Sequence, residues 1–265
     1  DFRFNKTTGE AERGRLEEGC ARLREECHLE TTAPLLQLLL DNNYPRIASL
    51  NLITSNVKQG KTGECRNILY RCVHPSDLSN TVESKKDYSP RRIAVDLINT
   101  LSTIYALLHG HPVFRCTDGF LRDILSSKFK VREMKDELME LIPVLDDLLG
   151  KLNVEEAILV IDKPIPWSRR IASNILEMQW KSRVKVEVGM ADTLLIKYGL
   201  NGYSVATSDI VVLEKTEKTV DLPALLAEDL WGGLPRQCSI AGIIDSWYTR
   251  TCSERDRFIR SNTST

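Results

Sequence analysis

The chain has 265 residues, of which 42% are hydrophobic and 28% are charged, and its formal net charge is −1. This length allows one large domain, or a medium domain with a smaller partner. The near-neutral charge excludes a global attraction to nucleic acid or to an anionic membrane, so binding of either kind needs a local basic patch.

The cysteines and the apolar runs bear on where the protein works. Seven cysteines are scattered along the chain without a CxxC pair: Cys20, Cys27, Cys65, Cys72, Cys116, Cys238 and Cys252. Their spacing does not suit zinc, and we predict free thiols in a reducing cytosol. No apolar run approaches the roughly 18 residues that span a bilayer, and residues 1–6 lack the apolar core of a signal peptide. We therefore expect a cytoplasmic protein with no membrane partner.

The N-terminal part is predicted to be helical. In residues 1–32, the stretch "GEAERGRLEEGCARLREECHLE" carries charge on most faces, with Leu16, Leu23 and Cys27 at helical spacing. This pattern is typical of a solvated surface helix, and a partner-binding extension is the alternative. Residues 33–80 are predicted to form a small helical domain, which permits a helix-turn-helix without establishing one. A protein partner that binds through these helices is left open.

The pattern changes after a polar linker at residues 81–91. Apolar bursts then alternate with helical segments, which indicates an α/β domain with a parallel sheet over residues 92–230. The predicted strands are 93–95, 157–161, 184–188 and 203–206, with weaker candidates at 112–116 and 218–222. The predicted helices are 97–108, 131–149, 166–180 and 190–198. Residues 231–265 are predicted to be a C-terminal tail whose final dozen residues are poorly ordered.

Aspartates stand where the predicted strands end. Asp96, Asp162 and Asp209 each follow an apolar burst, and Asp192 opens the helix after the third burst. A single aspartate at such a place is often only a helix N-cap. Open α/β sheets, however, bind ligands at the carboxyl ends of their strands, so these four side chains are expected at one rim.

Carboxylates that share a rim repel one another, and a bound cation commonly offsets that repulsion. Ligands that are all oxygen point to Mg²⁺ or Mn²⁺ rather than zinc. Such an ion can support hydrolysis of a phosphodiester. Asp118 and Asp123, which flank "GFLR", are possible additional acids.

Other polar residues near these acids are candidates for substrate contact. Asn99 lies one turn into the first helix of the α/β domain, where it can orient Asp96 or a substrate phosphate, or bond the helix terminus. Ser208 either caps the next helix or orients a ligand. Lys163, Arg169 and Arg122 can contact a nucleic-acid backbone, although a solvated face explains the basic residues equally well.

Residues 96–230 resemble the PIN-like and NYN-type nuclease superfamily. The motifs that carry the resemblance are "VDLIN", "VIDKP", "GMADTLLIKYG" and "VATSDIVVLEK". Residues 33–230 also resemble an uncharacterised prokaryotic family of unknown function that joins a small helical region to a PIN-like domain. That second resemblance rests on "LLDNNYPRIASLNLITSN", "LYRCVHP" and "TDGFLRD".

The resemblance implies a three-layer α/β fold with a mainly parallel sheet, preceded by a small all-helical region, and a ribonuclease activity that depends on Mg²⁺ or Mn²⁺. The implied metal ligands and catalytic residues are Asp96, Asp162, Asp192 and Asp209. The predicted substrate-binding residues are Asn99, Arg122, Ser208, Lys163 and Arg169. The chain departs from the family at Leu97, where glycine is usual, and at Thr117, where aspartate is usual. The alternative is a catalytically inactive PIN-like module that binds RNA or a protein partner.

Overall fold

The computed structural model describes residues 6–57, 60–125, 135–163 and 167–250. Five helices come first: α1 (Lys6–Glu26), α2 (Leu29–Asp41), α3 (Arg46–Ile53), α4 (Thr62–Cys72) and α5 (Ser76–Glu83). The strands are β1 (Arg92–Asp96), β2 (Val113–Arg115), β3 (Leu121–Asp123), β4 (Glu156–Asp162), β5 (Arg183–Gly189) and β6 (Ser204–Ala206). The helices among and after them are α6 (Leu97–Leu108), α7 (Lys135–Glu140), α8 (Ile142–Lys151), α9 (Ser168–Leu176), α10 (Ala191–Leu200), α11 (Ile210–Lys215) and α12 (Leu222–Trp231). Residues 240–250 are also helical.

The central sheet has the strand order β5-β4-β1-β6, and all of its neighbouring strands are parallel. The prediction of an α/β chain with a mainly parallel sheet is confirmed. β4 is buried at every position except its last, as expected for a parallel strand that is covered on both faces. The predicted strand at 218–222 is wrong, because Thr219 alone forms isolated parallel bridges, to Val205 and to Lys86.

The strand predicted at 112–116 exists as β2 but lies outside the central sheet. It pairs antiparallel with β3 in a separate two-stranded hairpin. The short polar turn between the two strands contains Gly119 at a φ of +77°, which an L side chain rarely adopts. This hairpin carries Asp118, Arg122 and Asp123, whose positions matter below.

Helices cover both faces of the central sheet. On one face, Val95 and Leu159 belong to a large apolar cluster that also contains buried residues of α6, α8 and α12. On the other face, Ala94 and Val160 pack in a smaller cluster with Leu195 of α10 and with Val212 of α11. Alternate residues of each strand therefore enter opposite clusters, which gives a helix–sheet–helix arrangement.

Helix α1 is part of the core, so the prediction of a solvated extension is wrong. Leu16, Cys20, Leu23 and Cys27 are fully buried in the same apolar cluster as the sheet. The indole N–H of Trp231 also donates to the Gly9 carbonyl at 2.9 Å. The thin apolar stripe is sufficient to dock the helix because it faces α6 and α12, while most of the charged residues, although not Glu12, are exposed or half-buried.

Parts of the predicted linker (residues 81–91) and of the predicted tail (residues 231–265) are also helical and packed against the rest of the chain. Helix α5 covers residues 81–83 of the linker and buries Val82, and Lys86 bridges to Thr219. In the predicted tail, residues 240–250 form a helix that buries Ile243 and Ile244. The final dozen residues lie outside the described ranges. Residues 33–80 share the large apolar cluster with the sheet and do not have a core of their own.

Two of the cysteines predicted to be free are bonded. Cys27, which follows α1, forms a disulfide with Cys65 of α4, and their Cα atoms are 5.3 Å apart. This bond ties the first helix to the fourth. Among the described helices, none has both the length and the apolar character that a bilayer crossing requires.

Candidate acidic site

Strand register brings the predicted acids to one edge of the sheet. Asp96 lies opposite Val160, and Asp162, two residues further on, ends β4. On the other side of β1, Val95 lies opposite Ala206, the last residue of β6. The loop that follows β6 therefore starts beside Asp96. This is the carboxyl edge of a parallel sheet, where α/β proteins hold their ligands.

Asp96 is the most perturbed carboxyl group of the site. Burial raises its pKa to about 7, and the negative charges of Asp209 and Asp192 act in the same direction. The Thr207 hydroxyl, which donates to Asp96 Oδ2 at 2.9 Å, and the backbone of Asn99 favour the charged form and oppose the shift. Asp96 therefore ends its strand in a partly buried place beside other acids.

Asp192 interacts electrostatically with Asp96 and also with Asp209 and Asp162. It lies exposed in the first turn of α10, and its pKa is raised first by partial burial and then by the charges of Asp209 and Asp162. Lys215 lowers the same pKa by a smaller amount. The predicted acids of the rim thus interact as one electrostatic cluster, which we call the acidic cluster: Asp96, Asp162, Asp192 and Asp209.

Two members of the acidic cluster also hold helices in place. The Asp209 carboxylate accepts the backbone N–H of Val211 at 2.8 Å and caps α11, so the N-cap interpretation is correct for this residue. Asp162 accepts the backbone N–H of Ala191 at 3.3 Å, which draws the start of α10 to the end of β4. Within the described ranges, no three His, Cys, Asp or Glu side chains are already arranged to hold a metal ion.

Asn99 and Ser208 contact each other. The Asn99 side-chain oxygen accepts the backbone N–H of Ser208 at 3.0 Å and its hydroxyl at 2.9 Å. The sequence did not predict this contact, which ties α6 to the loop after β6. Sequence reasoning missed Thr207, although "VATSD" places it directly after the strand that pairs with β1.

Arg122 was predicted to contact phosphate, and the structure corrects this. Its side chain is 2% exposed and forms a bidentate ion pair with Asp118, at 2.7 and 2.6 Å. Its Nε donates to the Ser208 carbonyl at 2.8 Å. Arg122 is therefore a buried clamp that fixes the β2–β3 hairpin to the loop after β6. The acid predicted at Asp118 is used in the same clamp and is not a member of the acidic cluster.

The acid predicted at Asp123 also has a structural role. Asp123 is buried, and its carboxylate accepts the Thr103 hydroxyl at 2.8 Å and the backbone N–H of Leu125 at 2.9 Å. Thr117, where the resembling family has aspartate, accepts hydrogen bonds from the backbone of His74 and from the Ser79 hydroxyl. Thr117 thus holds the hairpin to the helical region.

His74 is a second buried partner of Asp118 that sequence reasoning missed. Its Nε2 lies 3.9 Å from Asp118 Oδ2. Burial, assisted by the positive charge of Arg122, lowers the pKa of His74 to about 3, so the ring is neutral at pH 7. The clamp therefore carries one positive and one negative charge.

The predicted basic residues of the rim are exposed. Lys163 directly follows Asp162, and its backbone N–H donates to the Gly189 carbonyl at 2.8 Å. Arg169 lies in the first turn of α9. Both side chains are exposed, and Lys163 lies next to Asp162 of the acidic cluster, where a polyanion can reach it.

The raised pKa of Asp96 predicts a pH-dependent stability in metal-free protein. The folded chain holds the Asp96 proton up to about pH 7, whereas the ordinary value is 3.8, so folding takes up a proton between these values. The Asp96 contribution to the free energy of unfolding is therefore present below about pH 4 and is lost as the pH rises through about 7. The free energy of unfolding, measured by urea titration, should fall between pH 5 and pH 8. This fall should be about 1–3 kcal/mol smaller in Asp96→Asn than in the wild type. An unchanged pH dependence in the variant would contradict the assignment.

The part of the chain that matches a known protein family contains all four residues of the acidic cluster. Residues 85–225 match the family described as "Domain of unknown function (DUF5616)", a range that runs from before β1 into α12. An uncharacterised protein of Methanocaldococcus jannaschii is 28% identical over 201 residues, which cover 72% of this chain and 93% of that protein. No solved structure matches the chain significantly. The chain belongs to the family of domains of unknown function DUF5616.

Proposed function

We propose that this protein is a phosphodiesterase that depends on Mg²⁺ or Mn²⁺ and hydrolyses RNA, and that residues 92–230 are a PIN-like domain. The observation that carries the proposal is the acidic cluster at the carboxyl edge of the parallel sheet, where burial and, to a smaller extent, neighbouring carboxylates raise the pKa of Asp96 to about 7. The PIN-like assignment is supported by the resemblance of four strand-end motifs, each of which supplies one aspartate of the cluster.

The donor set of the acidic cluster fits a hard divalent cation. Its side chains offer only carboxylate oxygens, the ligands that Mg²⁺ and Mn²⁺ prefer. Burial, and to a smaller extent the charges of neighbouring aspartates, raise the pKa of Asp96 and Asp192, and a cation bound beside them would offset that repulsion. Such an ion, when bound, neutralises a phosphodiester and lowers the pKa of water.

The surrounding residues hold the acids in place and attract the substrate. The Thr207 hydroxyl fixes the orientation of Asp96. Arg122 donates to the Ser208 carbonyl, and the Asn99 side chain accepts the Ser208 backbone N–H. These two hydrogen bonds position the next residue, Asp209. The exposed Lys163 beside the cluster attracts the phosphates of RNA, so cleavage is expected to weaken as salt increases.

A second candidate function is a non-catalytic module that binds a protein partner. It is favoured by an apolar groove of about 410 Å³ in the helical region, formed by residues of α2 and α3 and by Val57. Leu35, Leu38 and Leu52 line this groove and are 44%, 40% and 67% exposed. An apolar patch of this kind commonly marks an interaction surface.

The test is cleavage of single-stranded and structured RNA by purified protein with Mn²⁺, with Mg²⁺ and with a chelator. We expect cleavage that requires the divalent ion and that is lost in Asp96→Asn. Wild-type protein that leaves both RNAs intact with either ion contradicts the nuclease proposal and favours the binding module.

A further inference from the structure

The six cysteines in the described ranges fall into three neighbouring pairs. One pair is the disulfide between Cys27 and Cys65. The other four cysteines are free and fully buried: Cys20, Cys72, Cys116 and Cys238. These four are far apart in sequence, so their pairing comes from the fold.

Cys72 and Cys116 meet where the helical region joins the β2–β3 hairpin. Cys72 ends α4, and its carbonyl accepts the backbone N–H of Thr117 at 2.9 Å. This backbone bond places Cys116, which directly precedes Thr117, beside Cys72. The Cys116 thiol donates to the Phe114 carbonyl at 3.5 Å. Burial and the neighbouring Cys116 thiol raise the pKa of Cys72.

Cys20 and Cys238 meet where α1 crosses the segment after α12. Cys238 ends a short 3₁₀ helix, Arg236–Cys238, that packs on α1. Its sulfur lies 3.9 Å from the carbonyl of Leu16, one helical turn before Cys20. The Cys20 thiol donates to the Val113 carbonyl at 3.5 Å, and the neighbouring Cys20 thiol and burial raise the pKa of Cys238.

We propose that Cys72–Cys116 and Cys20–Cys238 are disulfide-forming pairs that cross-link the N-terminal helices to the rest of the protein, whereas Cys27–Cys65 joins two of those helices to each other. Two buried cysteines that the fold holds side by side can form a disulfide when their Cβ atoms approach to within about 4.5 Å. Each new bond joins a helix of the N-terminal region to an element outside it. Cys72–Cys116 attaches α4 to the hairpin, and Cys20–Cys238 attaches α1 to the C-terminal segment.

The oxidant is a small-molecule disulfide such as oxidised glutathione. One cysteine thiolate attacks it to form a mixed disulfide and releases one glutathione thiolate. The partner cysteine then attacks the protein sulfur and releases the second. The pair loses two electrons and two protons, and the small disulfide becomes two thiols. Burial raises the pKa of Cys72, so the native thiols exchange slowly and the bonds form while the chain folds.

The test is a cysteine map of refolded protein. Wild-type chain is unfolded in denaturant with reductant, refolded in reduced and oxidised glutathione, quenched in acid, alkylated and digested. We expect peptides linked through Cys72–Cys116 and Cys20–Cys238, with one of the seven cysteines, Cys252, alkylated. Five alkylated cysteines, as the single disulfide would leave, or cross-links between other pairs, overturn the proposal.

Single substitutions separate the two pairs. Cys72→Ser should release Cys116 for alkylation and leave the Cys20–Cys238 peptide unchanged, and Cys20→Ser should do the reverse. Cys252→Ser is the matched control and should leave both linked peptides in place. Oxidised wild type should melt roughly 5–15 °C above the reduced protein. Equal melting temperatures overturn the stabilising role, and if a variant fails to fold, the wild-type map still decides the pairing.

Discussion

Replacing Asp118 with alanine is expected to lower the free energy of unfolding by about 3–5 kcal/mol. Asp118 is fully buried and holds both terminal nitrogens of Arg122, which is itself 2% exposed. Without the carboxylate, the guanidinium stays in the interior with no compensating charge. The loop at Ser208 depends on the same guanidinium, so the loss also loosens the part of the chain that carries Asp209.

Urea denaturation at pH 7 measures this change in the free energy of unfolding, and two further variants serve as comparisons. Arg91→Ala breaks an exposed ion pair with Glu155 and should cost less than about 1 kcal/mol. The double variant Asp118→Leu with Arg122→Met removes both charges, so it should be more stable than Asp118→Ala alone. An Asp118→Ala variant that loses no more stability than Arg91→Ala would show that the clamp is not a major support of the fold.

The second large effect is expected at Asp96. Asp96→Asn should reduce divalent-dependent RNA cleavage by on the order of 10²–10³-fold, because it removes one charge from the acidic cluster. Asparagine retains an oxygen that can accept the Thr207 hydroxyl, so the local structure is preserved. Cleavage rates in Mn²⁺ at several RNA concentrations show whether kcat or KM changes.

Asp77→Asn is the matched control for this experiment. Asp77 is an exposed carboxylate on α5, outside the acidic cluster, and its substitution should leave the cleavage rate unchanged. The circular dichroism spectrum of Asp96→Asn should match that of the wild type. Cleavage by Asp96→Asn at the wild-type rate would remove Asp96 from the catalytic site.

The α/β part of the fold was predictable from the sequence because parallel strands are buried on both faces. Such strands appear as short apolar runs, and the runs at 93–95 and 157–161 lie within β1 and β4. The helix predicted at 97–108 has the bounds of α6. The shared position of Asp96 and Asp162 followed from the same pattern, because parallel strands end at one edge of their sheet.

The errors occurred where a residue's partner is distant in the chain. Arg122 and Ser208 are 86 residues apart, and nothing in "GFLRD" shows that the arginine side chain turns inward. The burial of α1 depends on helices α6 and α12, which follow it by long stretches of sequence. The disulfide between Cys27 and Cys65 likewise spans 38 residues, so spacing alone did not reveal it.

Calorimetric titration of Mn²⁺ into metal-free protein is the most direct test of the acidic cluster as a metal site. We expect saturable binding by the wild type and by Asp77→Asn, with the affinity reduced by about 10-fold or more in Asp96→Asn and in Asp209→Asn. Binding of Mn²⁺ by the wild type should also release protons near pH 7, because the ion displaces the proton that Asp96 holds. No saturable heat in the wild type, or equal affinity in all four proteins, would contradict the assignment of the cluster as a metal site.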